Sequence, residues 1–74
     1  MRDMVQARLA EAAAARSRGD PAAALRAYEA VLQIDATHPL ARNALGMAAL
    51  GTGRAAEAKE HFQAAATRDP RAAP

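Results

Sequence analysis

The chain has 74 residues, no cysteine and a net charge of +2. This length suits one small domain near the lower limit for burying a self-sufficient core, and the lack of cysteine excludes disulfides and cysteine-ligated metals. So small a net charge does not indicate a nucleic-acid partner. The sequence has no apolar run of membrane-spanning length and no apolar signal core near its start. We therefore expect a cytoplasmic protein without a membrane partner.

The first predicted helix covers about residues 4–18. Asp3 precedes it as a candidate N-cap, with Gln6 three residues later at the spacing of a capping box. Gly19 follows its end, because glycine adopts a left-handed backbone at little cost where a helix stops and the chain turns.

The second predicted helix covers residues 21–34. Asp20 and Pro21 form an N-cap followed by a proline at the first helical position, where a missing N–H is tolerated. A broad apolar stripe at helical spacing predicts a buried face. This stripe consists of Ala24, Leu25, Tyr28, Val31 and Leu32.

The third predicted helix covers residues 39–51, with His38 expected at its start and Pro39 as its first residue. Apolar side chains occupy most of its circumference, which is typical of a helix packed on several sides. Met47 and Leu50 extend this surface beyond the half that faces the core. They are therefore either additional core residues or part of a contact surface.

The fourth predicted helix covers residues 55–68 and follows a turn at "GTGR", residues 51–54. Its narrow apolar stripe consists of Ala58, Phe62 and Ala65. Its outer face is polar, with Glu57, Glu60, His61 and Gln63. A terminal unit of a stacked array needs such a polar face, so we expect this helix at the end of the stack.

The second and fourth helices repeat each other at an offset of 34 residues. Gly19 aligns with Gly53, and Tyr28 aligns with Phe62. Further aligned pairs are Ala24 with Ala58 and Asp35 with Asp69. This period is typical of helix–turn–helix repeats that stack into solenoids.

These elements predict an all-α fold in which two antiparallel helix hairpins stack within a single domain over residues 1–74. The first repeat covers about residues 5–38 and the second about residues 39–72. Alanine dominates the interior and buries little apolar area, so we expect marginal stability or stabilisation by association. The predicted core is Ala24, Tyr28, Leu45, Ala58 and Phe62.

The spacing resembles the tetratricopeptide repeat from about Val5 to Ala72. The second unit carries the family pattern at Leu45, Gly46, Ala49, Ala58, Phe62, Ala65 and Pro70, with Ala49 in the usual tyrosine position. The first unit keeps Gly19, Ala24 and Tyr28, but departs from the pattern at Glu11, Ala12 and Ala36. Arginine stands where the family often has tryptophan, at Arg8 and Arg42.

The resemblance implies a right-handed superhelical stack with a concave groove that receives a peptide or a partner helix. The expected groove residues are Gln6, Leu9, Ala13, Arg16 and Ser17 on the first helix and Leu40, Asn43, Met47 and Leu50 on the third. Asn43 is the favoured contact, because its amide can both donate and accept hydrogen bonds; the alternative is an ordinary surface amide. The lining lacks the Lys and Asn pattern with which some family members clamp the C-terminal carboxylate of chaperones, so chaperone tails are not expected partners.

The sequence shows no pattern of catalytic, cofactor-binding or metal-binding residues. His38 and His61 have no Ser, Cys or second His at motif spacing. Glu57 and His61 lie four residues apart on one helix face, but two ligands do not make a metal site, so this pair is expected to be solvated. A mixed-sign solvated surface is favoured over a basic patch for an acidic peptide at Arg16, Arg18 and Arg26.

The sequence leaves three alternatives for function. We favour a non-enzymatic protein–protein interaction module, without cofactors, that binds a partner peptide or helix in the groove. The second is a self-assembling unit that forms a homo-oligomer, because two repeats fall short of the about three that usually make an array stable. The third is an accessory domain of a larger enzyme, with residues 68–74 opening a linker or another repeat.

Overall fold

Four α-helices make up residues 2–68, which the computed structural model describes. They are α1 (Arg2–Ser17), α2 (Pro21–Ile34), α3 (Pro39–Gly51) and α4 (Ala55–Arg68). No strand occurs among residues 2–68. The prediction of an all-α fold is confirmed, and each predicted helix end lies within two residues of the observed one.

The start of α1 differs from the prediction. The helix begins at Arg2, so Asp3 lies inside its first turn and does not precede it as an N-cap. The free N–H groups of a first turn can bond to water, and a helix therefore does not need to begin at a capping side chain.

The turns that close the two hairpins have the same hydrogen bonds, 34 residues apart. Gly19 donates its N–H to the carbonyl three residues back at 3.1 Å, and Asp20 donates to the carbonyl five residues back at 2.8 Å. Gly53 and Arg54 form the corresponding bonds at 3.1 and 2.8 Å. Both glycines have a positive φ, +75° and +77°, which explains why glycine occupies these positions.

The starts of α2 and α3 follow the predicted signals. An Oδ1 atom of Asp20 accepts a hydrogen bond from the Ala23 N–H at 3.1 Å, and Pro21 is the first helical residue. His38 occupies the N-cap position of α3 and is followed by Pro39, as expected. Its side chain makes no capping hydrogen bond, so the proline alone favours the helical start.

The helices pack in series: α1 on α2, α2 on α3, and α3 on α4. Within residues 2–68 no Cα atom of α1 lies within 8 Å of one in α3, and the same holds for α2 and α4. No helix in this part of the chain is long and apolar enough to cross a membrane. The main core cluster consists of Ala12, Ala15, Ala24, Ala27, Tyr28, Val31, Ala41 and Leu45.

Four of the five predicted core residues are buried: Ala24, Tyr28, Leu45 and Ala58. Phe62 is the exception, because it is only partly buried and the prediction of full burial is wrong. Its ring lies against Gly46 of α3, where an added Cβ would approach the ring carbon Cε1 to 2.7 Å. Among the described helices, only α3 packs on α4, so the outer side of the ring stays open.

Candidate interaction cleft

A cleft of about 450 Å³ opens between the end of α1, the first half of α2 and one face of α3. Its floor is α2, where Ala24 and Tyr28 are buried. The end of α1 and the face of α3 form its walls, and no Cα atom of one of these helices lies within 8 Å of a Cα atom of the other. The cleft is lined by Arg16, Pro21, Ala24, Leu25, Tyr28, Leu40, Asn43, Ala44, Met47 and Ala48.

The face of α3 beside this cleft carries three of the four large apolar side chains that are most exposed among the described residues. Leu40 is 52% exposed, Met47 63% and Leu50 50%, whereas the fourth, Met4, lies on α1. With the partly buried Asn43, these α3 residues stand at positions i, i+3, i+7 and i+10, which form one line along a helix. Residues 40, 43, 47 and 50 are called the α3 strip below. The exposure of Met47 and Leu50 excludes the alternative that they are core residues.

Four of the predicted groove residues line the cleft: Arg16, Leu40, Asn43 and Met47. Leu50 continues the α3 strip beyond the cleft, and Leu9 packs against the core cluster. Three further residues are exposed on α1 outside the cleft: Gln6, Ala13 and Ser17. Arg16, in the last turn of α1, is the only residue of this helix that lines the cleft, and no Cα atom of α1 lies within 8 Å of one in α3.

The contribution of α2 to the cleft is not apparent from its apolar pattern, which predicts a buried face. Pro21, Leu25 and Tyr28 line the cleft at positions i, i+4 and i+7 of this helix. The breadth of the stripe on α2 is the available signal, since a stripe wider than one helix contact can serve two neighbours. Ala44 and Ala48 of α3 complete the apolar lining.

Arg16 is the one charged residue that lines the cleft, and no Asp or Glu lines it. Within residues 4–68 its side chain makes no hydrogen bond or ion pair. Arg8, in contrast, lies 2.8 Å from a carboxylate oxygen of Glu11. The cleft is therefore an apolar surface with one uncompensated positive charge.

Arg18 and Arg26 lie on a different cleft, of about 410 Å³, along the seam between α1 and α2. Arg8 and Glu11 line the same seam and pair with each other, and Arg18 lies 3.9 Å from a carboxylate oxygen of Asp20. Both signs of charge meet on this surface, as expected from the sequence. Arg16 lines the cleft beside α3 and does not line the seam between α1 and α2.

His61 joins α4 to α3 and is partly buried, whereas Glu57 of the pair expected to be solvated is exposed. Nη1 of Arg42 donates to its Nδ1 at 3.1 Å, and Nε of Arg42 donates to the Ala36 carbonyl at 2.7 Å. Because a guanidinium only donates, the neutral His61 ring carries its proton on Nε2. Burial and the neighbouring Arg42 charge lower the pKa of His61. Glu57 pairs with Arg54 at 3.2 Å, and the side chains of residues 4–68 include no group of three or more His, Cys, Asp or Glu that could hold a metal ion.

The end of α4 is tied to the loop between α2 and α3. Nη1 of Arg68 donates to both carboxylate oxygens of Asp35, at 2.7 and 2.8 Å, and to Oγ1 of Thr37 at 3.3 Å. The hydrogen bond from Arg68 lowers the pKa of Asp35. Polar contacts thus fasten the second hairpin to the chain that enters it.

The comparison with family models agrees with the paired helices and their repeated glycine turns. A model described as "Tetratricopeptide repeat" matches residues 15–74. No curated protein and no solved structure matches the chain. The matched residues include all of α2, α3 and α4, and repeats of this type generally mediate protein–protein interaction. The chain belongs to the tetratricopeptide repeat family.

Proposed function

We propose that this chain is a non-enzymatic interaction module that receives a segment of a partner protein in the cleft. The observation that carries this proposal is the α3 strip, which leaves Leu40, Met47 and Leu50 half or more exposed along one line of the helix. Contiguous apolar surface on a small protein usually marks a contact site. A cytoplasmic peptide or protein is the expected partner, and no cofactor is required.

Each side chain of the site has a distinct part in this proposal. Leu40 and Met47 supply apolar contact, and the flexible thioether of Met47 can adapt to different partner side chains. Asn43 offers an amide that can both donate and accept. Tyr28 forms a firm floor because it is only 5% exposed, and Leu50 extends the contact beyond the cleft.

Two matched substitutions test the site. Met47→Glu places a charge inside the contact, whereas Met4→Glu places the same charge at a methionine outside the cleft that is also more than half exposed, 53% against 63%. Peptides are selected from a random library on the full chain, and their affinities for both variants are then measured. We expect Met47→Glu to weaken binding at least about tenfold, since a charge buried without a partner is costly. Met4→Glu is expected to leave binding unchanged.

Circular dichroism shows whether both variants keep their helices. Because Met47 is exposed, the substitution should preserve helix content. Selected peptides that bind wild type and Met47→Glu equally well would place the contact elsewhere and contradict the proposal.

Self-association is a second candidate function, favoured by the spacing of the α3 strip. Positions i, i+3, i+7 and i+10 are those through which helices pair in coiled coils. Two copies paired through α3 would cover Leu40, Met47 and Leu50 together. Sedimentation velocity over a range of protein concentrations tests this candidate, which requires a dimer in wild type and a monomer in Met47→Glu.

A further inference from the structure

We propose that the segment received by the cleft is an amphipathic helix that presents a carboxylate to Arg16. This inference rests on the proposed function and specifies the chemistry of the partner. It follows from the combination of the α3 strip with the single unpaired charge among the cleft-lining residues.

The charge of the partner follows from the position of Arg16. In the free protein Arg16 is exposed, and a charge in contact with water needs no partner. An apolar segment laid into the cleft removes that water, and a desolvated guanidinium needs a hydrogen-bonded counter-charge. None of the other lining residues is Asp or Glu, so the carboxylate has to come from the occupant.

The helical form of the partner follows from the wall it contacts. The α3 strip is the side of a regular helix, whose backbone groups are already bonded within α3. An extended segment would place its own N–H and C=O groups against leucine and methionine side chains, with Asn43 as the one residue of the strip that could bond to them. A helix satisfies its backbone internally, and its apolar side chains at spacings of three and four match those of the strip.

A second copy of this chain fits the cleft less well than an acidic partner. The helix that carries the exposed strip, α3, contains no Asp or Glu, and its one charged residue is Arg42. Arg42 is already bonded to the Ala36 carbonyl and to His61. Pairing through two α3 helices would therefore cover apolar surface but bring no carboxylate from α3 to Arg16.

Two designed peptides of about four helical turns serve as probes. Both carry leucine at alternating spacings of three and four. The flanking positions are glutamate in one peptide and lysine in its twin. Binding to the full chain is measured by fluorescence anisotropy at low and high salt. We expect the glutamate peptide to bind at least about tenfold more tightly than the lysine peptide at low salt, and added salt to reduce that difference.

Substitution of Arg16 separates a specific contact from the effect of net charge. Arg16→Glu should reverse the preference between the two peptides, and Arg16→Gln should abolish it without placing an acidic residue at a helix end. Arg26→Glu is the matched control. Arg26 is an exposed arginine without a partner among residues 4–68, it lies on the α1–α2 seam, and its substitution changes the net charge equally. We expect the control to keep the preference of wild type.

The outcomes that overturn this inference differ from those that overturn the proposed function. Equal binding of the two peptides, or equal effects of Arg16→Glu and Arg26→Glu, would contradict the proposal that the partner presents a carboxylate to Arg16. If Met47→Glu still weakens both peptides in that case, the cleft remains the binding site. A dimer that Met47→Glu dissociates and that neither peptide displaces makes a second copy the occupant. No binding of either peptide overturns the inference as well.

Discussion

The two aromatic rings of the chain occupy equivalent positions 34 residues apart, yet they differ in burial. Tyr28 is 5% exposed because α3 packs on α2. Phe62 is only partly buried, since no helix among residues 2–68 packs on the outer side of α4. The helix that follows each ring therefore decides how far the ring is buried.

The two hairpins are accordingly held together in different ways. The first relies on apolar burial, with Val31 fully buried beside Tyr28 in one cluster. The second adds polar contacts, from Arg42 to His61 and from Arg68 to the α2–α3 loop. A fully buried large side chain contributes about 1.5–3 kcal/mol, whereas an exposed ion pair contributes about 0–1 kcal/mol. The second hairpin should therefore resist unfolding less.

The largest expected effect comes from truncating the two rings. Tyr28→Ala should reduce the free energy of unfolding by about 3–5 kcal/mol, because it leaves a cavity in the core. Phe62→Ala should cost only about 1–2 kcal/mol, because part of that ring already faces water. Urea denaturation followed by circular dichroism measures both values.

The whole stability of so small a domain is comparable to the loss expected for Tyr28→Ala. Tyr28→Leu, which leaves a smaller cavity, provides a folded variant if the alanine variant does not fold. Equal losses for Tyr28→Ala and Phe62→Ala would show that the following helix does not control burial.

A smaller effect is expected from two glycines of α3. Gly46→Ala forces its Cβ to 2.7 Å from the Phe62 ring, so the ring has to move. We expect a net loss of about 1 kcal/mol, in which overpacking outweighs the gain in helix propensity. Gly51→Ala is the matched control, because nothing lies within 4 Å of its added Cβ.

Thermal melting of both glycine variants measures this difference. Gly51→Ala should keep or raise the melting temperature, and Gly46→Ala should lower it. A stabilised Gly46→Ala protein would mean that the Phe62 ring can move at little energetic cost and that α3 and α4 are not closely packed at this point.

The smallest effect is the pH dependence that His61 confers on the second hairpin. Burial and Arg42 lower its pKa in the folded state, while Glu57, Glu60 and Glu29 oppose that shift. The neutral ring is thus the form that the fold favours. Its contribution is present above the ordinary pKa of about 6.5 and is lost as the pH falls through the lowered value.

Denaturation of wild type and His61→Gln from neutral pH to about pH 5 isolates this contribution. The difference in stability between the two proteins should shrink as the pH falls, because protonation removes the acceptor for Arg42. If the difference in stability between the two proteins stays constant with pH, the titration of His61 does not contribute to the pH dependence of folding.

The ends of the helices can be predicted from local sequence signals, whereas the packing of one helix on another is less predictable. Gly19, Pro21, Pro39 and Gly53 mark helix ends through backbone restrictions that act within a few residues. The burial of Phe62 depends instead on a neighbour, and its sequence position does not show whether one is present. The burial of this ring is therefore a property of tertiary packing.

The groove shows the same limit. The apolar pattern of α3 indicated Met47 and Leu50 as a further surface, and the resemblance to the tetratricopeptide repeat added Leu40 and Asn43 as groove residues. The path of α1 depends on how alanine-rich surfaces settle against α2, and no local signal specifies that angle. For this reason Arg16 is the one predicted α1 residue that lines the cleft.

The two walls of the cleft flank a common floor on α2, and within residues 2–68 no Cα atom of α1 lies within 8 Å of one in α3. A rotation of one hairpin by a few degrees about the α2–α3 contact would change the distance between Arg16 and the α3 strip without separating any closely spaced backbone of the two walls. We therefore expect the width of the cleft to vary more readily than the packing within either hairpin. Partner segments of different size can then each bind to a conformation in which the cleft has a different width. Substitutions at the α2–α3 contact, away from any bound side chain, should then alter the affinity for a partner as well as the stability of the fold.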